Sequence, residues 1–285
     1  FWLDMGCDGF RVDMASSLVK NDTKNKKHTC KIWRNIRDML DVEYPEAALI
    51  AEWNGPRMSL KNGFDMDFYL EWQGNGYSWL MRNYDGAMDS NPHNIGKAYF
   101  CKDSGTGIDK FLDDYLPNYK ATHKDGLWCF ITCNHDTVRP AAGLTVDELR
   151  LAYATLFTLP GAPFVYYGDE IGMAGTGNDP NKRLGMFWDK KMNITRCPPG
   201  TTVADYPFPS VQEQEGNPLS ILNYYRAALA LRHQFPQIAR GTPTVLESPD
   251  ANLCLIEKDW QGDRILIAVN LSIDDLSFPL PGGYT

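Results

Sequence analysis

Three short apolar runs, each ending at a carboxylate, constrain the fold of this chain more than any other feature. Each run is short enough to be a buried strand, and each ends abruptly in polar residues. The runs are Gly9–Val12 before Asp13, Ala48–Ala51 before Glu52, and residues 128–134 before His135 and Asp136. An α/β barrel of parallel strands collects such carboxylates at one rim and builds its active site there. The pattern therefore predicts a parallel α/β barrel with a carboxylate-lined site.

The first run also places a cation beside its carboxylate. Period-2 alternation in a strand directs Phe10 and Val12 to one face and Arg11 and Asp13 to the other. An ionised carboxylate held at a strand end suits a nucleophile. A buried structural Arg–Asp pair explains the pentapeptide equally well, and the two later runs favour the catalytic interpretation.

Strand and helix patterns alternate along most of the chain, which is typical of a parallel sheet with right-handed crossovers. Five strands are predicted, centred at Phe10, Ile50, Met66, Phe130 and Val165. Helices are predicted at residues 27–40, 76–84, 108–119, 145–159 and 219–235, with Thr145 and Glu148 spaced as a capping box. From residue 241 the pattern changes to short runs at 244–246, 253–258, 265–271 and 276–280 separated by turns, which predicts antiparallel strands.

Composition narrows the function classes. The net charge of -8 and the lack of a basic cluster argue against a nucleic-acid partner. The sequence contains no run of about eighteen apolar residues, so it does not predict a membrane-spanning helix. The seven cysteines show no metal-binding spacing, and their odd number leaves at least one thiol unpaired within the chain. Cys129 and Cys133 are predicted to be buried free thiols.

Four segments together resemble a known family. Gly9-Phe10-Arg11-Val12-Asp13, the strand ending in Glu52, and Asn134-His135-Asp136 resemble the second, third and fourth signature regions of glycoside hydrolase family 13, the α-amylase family. Residues 161–173 resemble its eighth strand and the following loop. The resemblance implies a (β/α)8 TIM barrel lacking its first three strands, followed by a partial all-β antiparallel sandwich. Residues 1–239 would form strands four to eight of the barrel, and residues 240–285 would begin the β domain.

The resemblance also implies roles for individual residues. Asp13 would be the nucleophile, Glu52 the acid/base, and Asp136 the group that stabilises the transition state. The residues implied to bind substrate are Arg11, His135, Arg139 and Arg183, although the last two could equally form surface salt bridges. Structural roles are favoured for Asp65, Asp67, Tyr167 and Glu170.

Two departures from the family pattern bear on substrate size. Many endo-acting amylases carry Lys-His shortly after the nucleophile, whereas this chain has Ser16-Ser17-Leu18-Val19. The segment 183–189 resembles one found in α-glucosidase members. Together they favour a retaining enzyme that cleaves short α-glucosides, with an α-glucan or α-gluco-oligosaccharide as its substrate.

Other functions stay open at this point. An endo-acting α-amylase or a transglycosylase would use the same residues, and a non-catalytic interaction module of the same fold is the alternative of another class. The sequence assigns no metal ligand, although calcium is possible in the full-length protein, and it leaves the compartment open. A sheet without strands one to three would not close, so the chain alone is expected to be inactive.

Overall fold

A parallel four-stranded sheet forms the centre of the first part of the chain. The computed structural model describes residues 1–71, 74–191, 196–202 and 206–284. The strands follow one another in the order β1–β2–β3–β4. They span Gly9–Val12 (β1), Ala48–Ala51 (β2), Met66–Tyr69 (β3) and Leu127–Phe130 (β4). All neighbours are parallel, so the residues after each strand meet at one edge of the sheet.

The fifth predicted strand, residues 162–167, is reduced to a single parallel bridge between Ile131 and Phe164. Phe164 still joins the fourth strand, because its N–H donates to the carbonyl oxygen of Phe130 at 2.8 Å. The ladder does not extend further for two reasons. Pro163 has no N–H to donate, and the N–H of Tyr166 donates to the side-chain hydroxyl of Thr132 instead of a backbone carbonyl.

Helices connect the strands and cover the outside of the sheet. They span Lys27–Glu43 (α1), Pro56–Ser59 (α2), Gly76–Met81 (α3), Asp109–Thr122 (α4), Val146–Thr158 (α5), Asp179–Lys182 (α6), Val211–Glu215 (α7), Ile221–Gln234 (α8) and Pro236–Arg240 (α9). The predicted capping box at α5 is confirmed, since Thr145 and Glu148 each bond the other's backbone N–H. Each predicted helix is present, with ends that differ by up to three residues.

An aromatic core lies between β3, β4 and the helices behind them. Tyr69 packs against Trp128 with ring centroids 4.3 Å apart and against Phe130 at 5.2 Å. Phe111 and Tyr115 of α4 stack on each other and complete the cluster. Burying a large apolar side chain contributes about 1.5–3 kcal/mol, so this core is a major source of stability for the sheet that carries the site.

The last part of the chain forms a three-stranded antiparallel sheet. Its strands are Thr242–Leu246 (β5), Leu253–Trp260 (β6) and Asp263–Asn270 (β7), in that order. The fourth predicted run, residues 276–280, is not a strand; it lies past β7 without regular pairing. The domain boundary at residue 240 stays a prediction.

Two buried cations lie where β6 and α8 approach the end of α5. Arg232 donates from Nη1 to the carbonyl oxygens of Phe157 at 2.7 Å and Leu159 at 2.8 Å. Lys258 Nζ lies 3.4 Å from the carbonyl oxygen of Thr158. A helix leaves its last carbonyl groups without partners and carries partial negative charge there. Arg232 therefore satisfies two carbonyl groups at the C-terminal end of α5, and Lys258 adds one long contact there.

Two smaller findings complete the fold. Cys129 and Cys133 are buried, unpaired thiols, as predicted. Within the described ranges, no helix has the length and apolar character needed to cross a membrane.

Candidate active site

One guanidinium joins the two carboxylates at the ends of β1 and β2. Arg11 donates from Nη1 to Asp13 Oδ1 at 2.8 Å, and its Nη2 lies 2.6 Å from Glu52 Oε1. The predicted Arg11–Asp13 contact is therefore present. β1 and β2 pair with Val12 opposite Ala51, so Asp13 and Glu52 follow directly at neighbouring strand ends. Both carboxyl groups therefore contact the same guanidinium, through its two terminal nitrogens.

Glu52 also holds the turn that follows Asp13. Its Oε2 accepts a hydrogen bond from the N–H of Met14 at 3.0 Å, and its carbonyl oxygen accepts one from Ala15 at 3.2 Å. Met14 has φ of 44°, a left-handed conformation that is uncommon for a residue other than glycine. The side chain of Glu52 is 13% exposed and that of Asp13 is 74% exposed. The two carboxylates thus occupy different environments, one half-buried and one open to solvent.

The third carboxylate, Asp136, contacts the side chains of His135 and Arg183 beyond the end of β4. Its Oδ2 lies 3.3 Å from Nε2 of His135, and its Oδ1 accepts from Nη2 of Arg183 at 2.9 Å. Arg183 also donates from Nε to the carbonyl oxygen of His135. Lys182 Nζ donates to the carbonyl oxygen of Asp136 at 2.9 Å. The loop that carries α6 is therefore anchored on Asp136.

A cavity of about 190 Å³ connects the two groups of residues. Arg11 and Glu52 line it from one side and His135 from another. Phe68, Phe164 and Tyr166 provide its aromatic wall. Of the three predicted carboxylates, Glu52 lines this cavity, while Asp13 and Asp136 contact the lining residues Arg11 and His135, respectively.

Arg139 lies apart from this space. Its side chain is fully buried, with Nη1 donating to Asp169 Oδ1 at 2.8 Å and to the carbonyl oxygen of Tyr167 at 2.7 Å. Its guanidinium also lies over the ring of Tyr166, 4.3 Å from the centroid. A fully buried guanidinium lies away from the rim, and its ion pair with Asp169 is not at the surface. The substrate contact expected for Arg139 stays a prediction.

Arg183 borders a second cavity, of about 590 Å³, next to Asp136. Tyr167 and Trp188 line this cavity, and both side chains are partly exposed. Glu170 lines it too, and burial raises the pKa of its carboxyl group. This second space would extend the site beyond Asp136.

Reasoning from the sequence missed two contributors to the site's framework. Asp169 accepts hydrogen bonds from Thr132 and Cys133 as well as Arg139, which ties the end of β4 to the loop after residue 167. Met14 contributes only a backbone N–H, which no sequence pattern reports. The acidic residue at 169, within the segment that resembles the eighth strand, was the one available signal.

Calcium in the full-length protein stays a prediction. No group of three or more His, Cys, Asp or Glu side chains is positioned to hold a metal ion among the described residues.

Comparison with known proteins identifies the family of this chain. The family described as "Alpha amylase, catalytic domain" matches residues 1–241. Alpha-amylase 3 of Dictyoglomus thermophilum is 25% identical over 279 residues, which are 95% of this chain and 51% of that protein. Trehalose synthase of Thermus thermophilus is 28% identical over 314 aligned residues, covering 99% of this chain and 33% of the other.

The same fold occurs in the solved structure of Eubacterium rectale Amy13B. It superposes with a TM-score of 0.77 at 24% identity, covering 96% of this chain and 52% of that one. This confirms the predicted fold class, a barrel without its first three strands followed by an antiparallel sheet. This chain spans at most about half the length of these three proteins. The chain belongs to the α-amylase family, glycoside hydrolase family 13, and contains part of its catalytic domain.

Proposed function

We propose that the intact protein is a retaining glycoside hydrolase that cleaves α-glucosidic bonds in short α-glucosides. The observation that carries the proposal is the bridging of Asp13 and Glu52 by Arg11. Retaining glycosidases hold two carboxyl groups about 5–5.5 Å apart. Two carboxylates bound to adjacent nitrogens of one guanidinium are compatible with that separation.

Each carboxyl group has a role that matches its position. Asp13 attacks the anomeric carbon while Glu52 gives its proton to the departing glycosidic oxygen, which leaves a covalent glucosyl–Asp13 ester. Glu52 then takes a proton from the incoming water, whose oxygen displaces Asp13 and restores both residues. Asp136 and His135 bind hydroxyl groups of the same sugar, and the charge of Asp136 stabilises the oxocarbenium-like transition state.

The loop anchored by Arg183 supports a short substrate. It is fixed on Asp136, beside the 590 Å³ cavity that Tyr167 and Trp188 line. Exposed aromatic rings can stack on the faces of sugar rings, and the carboxylate beside them can bind sugar hydroxyl groups. The Lys-His pair that would hold a long leaving chain is replaced by Ser16 and Ser17, of which Ser17 bonds its own turn.

Glucosyl transfer is the second candidate, and the similarity to a trehalose synthase favours it. The two reactions share the covalent intermediate. They differ in whether water or a sugar hydroxyl attacks it, so the same residues serve both.

Assays of the intact protein on maltose, isomaltose, sucrose, trehalose and soluble starch test the proposal. Asp13→Asn is expected to lower kcat/KM about 10³-fold or more. Asp113→Asn, an exposed residue of α4, is the matched control and should retain activity. NMR of the first product should show the α-anomer.

The alternatives predict different results. Turnover of starch alone indicates an α-amylase, and conversion of one disaccharide into another indicates transfer. If none of the substrates is turned over, the result favours a non-catalytic interaction module. The 285-residue chain assayed alone is expected to show no turnover.

A further inference from the structure

The carboxylate of Asp67 is fully buried beneath the turn that follows Glu52. Asp67 lies on β3, paired with Ala51 of β2, and none of its surface is exposed. It accepts four hydrogen bonds, all from residues of the segment after Glu52. The donors are the N–H groups of Trp53 (3.1 Å), Asn54 (3.1 Å) and Gly55 (2.9 Å) and the hydroxyl of Ser59 (2.7 Å).

These donors make the site unusual for a merely structural acid. A buried carboxylate is costly unless hydrogen bonds compensate for the lost water. Burial raises the pKa of Asp67 to about 6, and the four donors act in the opposite direction. Three successive N–H groups that converge on one anion form a concave anion-binding turn. The turn therefore depends on this one acceptor.

The turn has a conformation that needs support. Asn54 has φ of 53°, in the left-handed region that costs energy for a residue with a side chain. The side-chain oxygen of Asn54 also accepts from the N–H of Leu70, at 3.3 Å. The segment directly after Glu52 is thus held against the end of β3 on two sides, and Asp67 makes most of the contacts.

We propose that Asp67 is a positioning residue for Glu52, fixing residues 53–55 so that the Glu52 carboxyl group faces the glycosidic oxygen. The inference rests on the acid/base role proposed above for Glu52. Asp67 touches neither the substrate nor the reacting atoms. It acts through the backbone that leads away from Glu52, and proton transfer depends strongly on where the acid is held.

Asp65 provides a matched comparison on the same strand segment. Its Oδ2 accepts from the N–H of Leu49 at 2.8 Å and from Arg37 at 2.9 Å. It therefore fixes the beginning of β2, whereas Asp67 fixes the segment beyond the end of β2. Of the two aspartates, only Asp67 is expected to cause a defect specific to acid catalysis when it is changed.

The test compares two substrates in the intact protein carrying Asp67→Asn. The amide keeps the size of the side chain but replaces one acceptor oxygen by a donor, so at least one N–H of the turn loses its partner. We expect kcat/KM for maltose to fall about 10- to 100-fold. For α-glucosyl fluoride, whose leaving group departs with little help from an acid, the fall should be below about 3-fold. The loss with maltose should be in kcat more than in KM.

Three further variants make the result decisive. Asp65→Asn should change both substrates equally, because it alters stability and not the acid. Ser59→Ala removes one donor and leaves the carboxylate intact, so it should give a smaller loss of the same selectivity. If the Asp67→Asn variant does not fold, the Ser59→Ala variant is used for the test instead. Glu52→Gln is the reference and should show the largest difference between the substrates.

The outcomes separate the two proposals. If Glu52→Gln spares the fluoride but Asp67→Asn and Ser59→Ala affect both substrates equally or neither, the positioning role is refuted and the proposed function stands. If Glu52→Gln shows no preference, or the unaltered protein cleaves neither substrate, the proposed function fails and this inference fails with it.

Discussion

Replacing the buried Lys258 should stabilise the protein at neutral pH and lose this effect at high pH. Lys258 is fully buried on β6, and among the described residues its Nζ hydrogen-bonds only to the carbonyl oxygen of Thr158, at the long distance of 3.4 Å. No salt bridge to Lys258 occurs in the described part of the chain. Burial lowers the pKa of its ammonium group to about 7, and the nearby charge of Arg232 adds to this.

The sign of the effect follows from proton binding. In the unfolded chain the Lys258 pKa is 10.5, so between pH 7 and 10.5 the unfolded state binds more protons than the folded state. Lys258 therefore destabilises the folded protein, most strongly at pH 7 and below. This destabilisation becomes smaller as the pH rises from 7 to 10.5. The difference between the two pKa values corresponds to roughly 5 kcal/mol. Lys258→Met avoids this cost and nearly keeps the side-chain volume.

Equilibrium denaturation in guanidinium chloride at pH 7, 8, 9 and 10 measures the effect. Buried tyrosines and cysteines also titrate at high pH, so the informative quantity is the stability of Lys258→Met minus that of the unaltered protein. It should be about 3–5 kcal/mol at pH 7 and approach zero near pH 10.5. Lys61→Met, at a half-exposed position, should show a difference near zero throughout. A difference for Lys258→Met that stays constant with pH would refute the reasoning.

Two further substitutions test the framework of the site. Arg139→Met should destabilise the protein by about 3–5 kcal/mol, because it leaves the buried carboxylate of Asp169 unpaired. Denaturation of the double variant with Asp169→Asn should recover part of that loss, and an additive loss would contradict the pairing. Arg183→Ala should lower kcat/KM about 10- to 100-fold, since it frees the loop from Asp136. Its melting temperature should hardly change because exposed ion pairs contribute about 0–1 kcal/mol, and a large fall in melting temperature with unchanged kinetics would oppose this role.

Local patterns predicted strands β1–β7 and helices α1, α3, α4, α5 and α8, but not the short helices α2, α6, α7 and α9. The capping box at Thr145 and the alternation in β1 depend on residues a few positions apart, and the structure has both. The strand predicted at residues 162–167 was too long. Pro163 has no N–H for the ladder, and the N–H of Tyr166 donates to the hydroxyl of Thr132, 34 positions earlier. Apolar composition alone does not report such a partner.

The charged residues show the same limit more clearly. Arg139 and Arg183 looked alike in sequence, as cations in segments that resemble the family. The structure buries one against Asp169 and leaves the other at Asp136, 37% exposed. A sequence shows that a cation is present but not which carboxylate it will meet, since that depends on how distant segments fold together.

Asp67 combines both kinds of information. Alternation along β3 placed Asp65 and Asp67 on one polar face, and nothing in the sequence distinguished them. The difference arises from register: Asp67 pairs with Ala51, the residue immediately before Glu52, and its carboxylate therefore lies under the turn that Glu52 enters. A shift of the pairing by two residues would give Asp65 that place. The role we propose for Asp67 is thus a property of the pairing between β2 and β3, and the comparison of Asp67→Asn with Asp65→Asn tests that pairing as well as the chemistry.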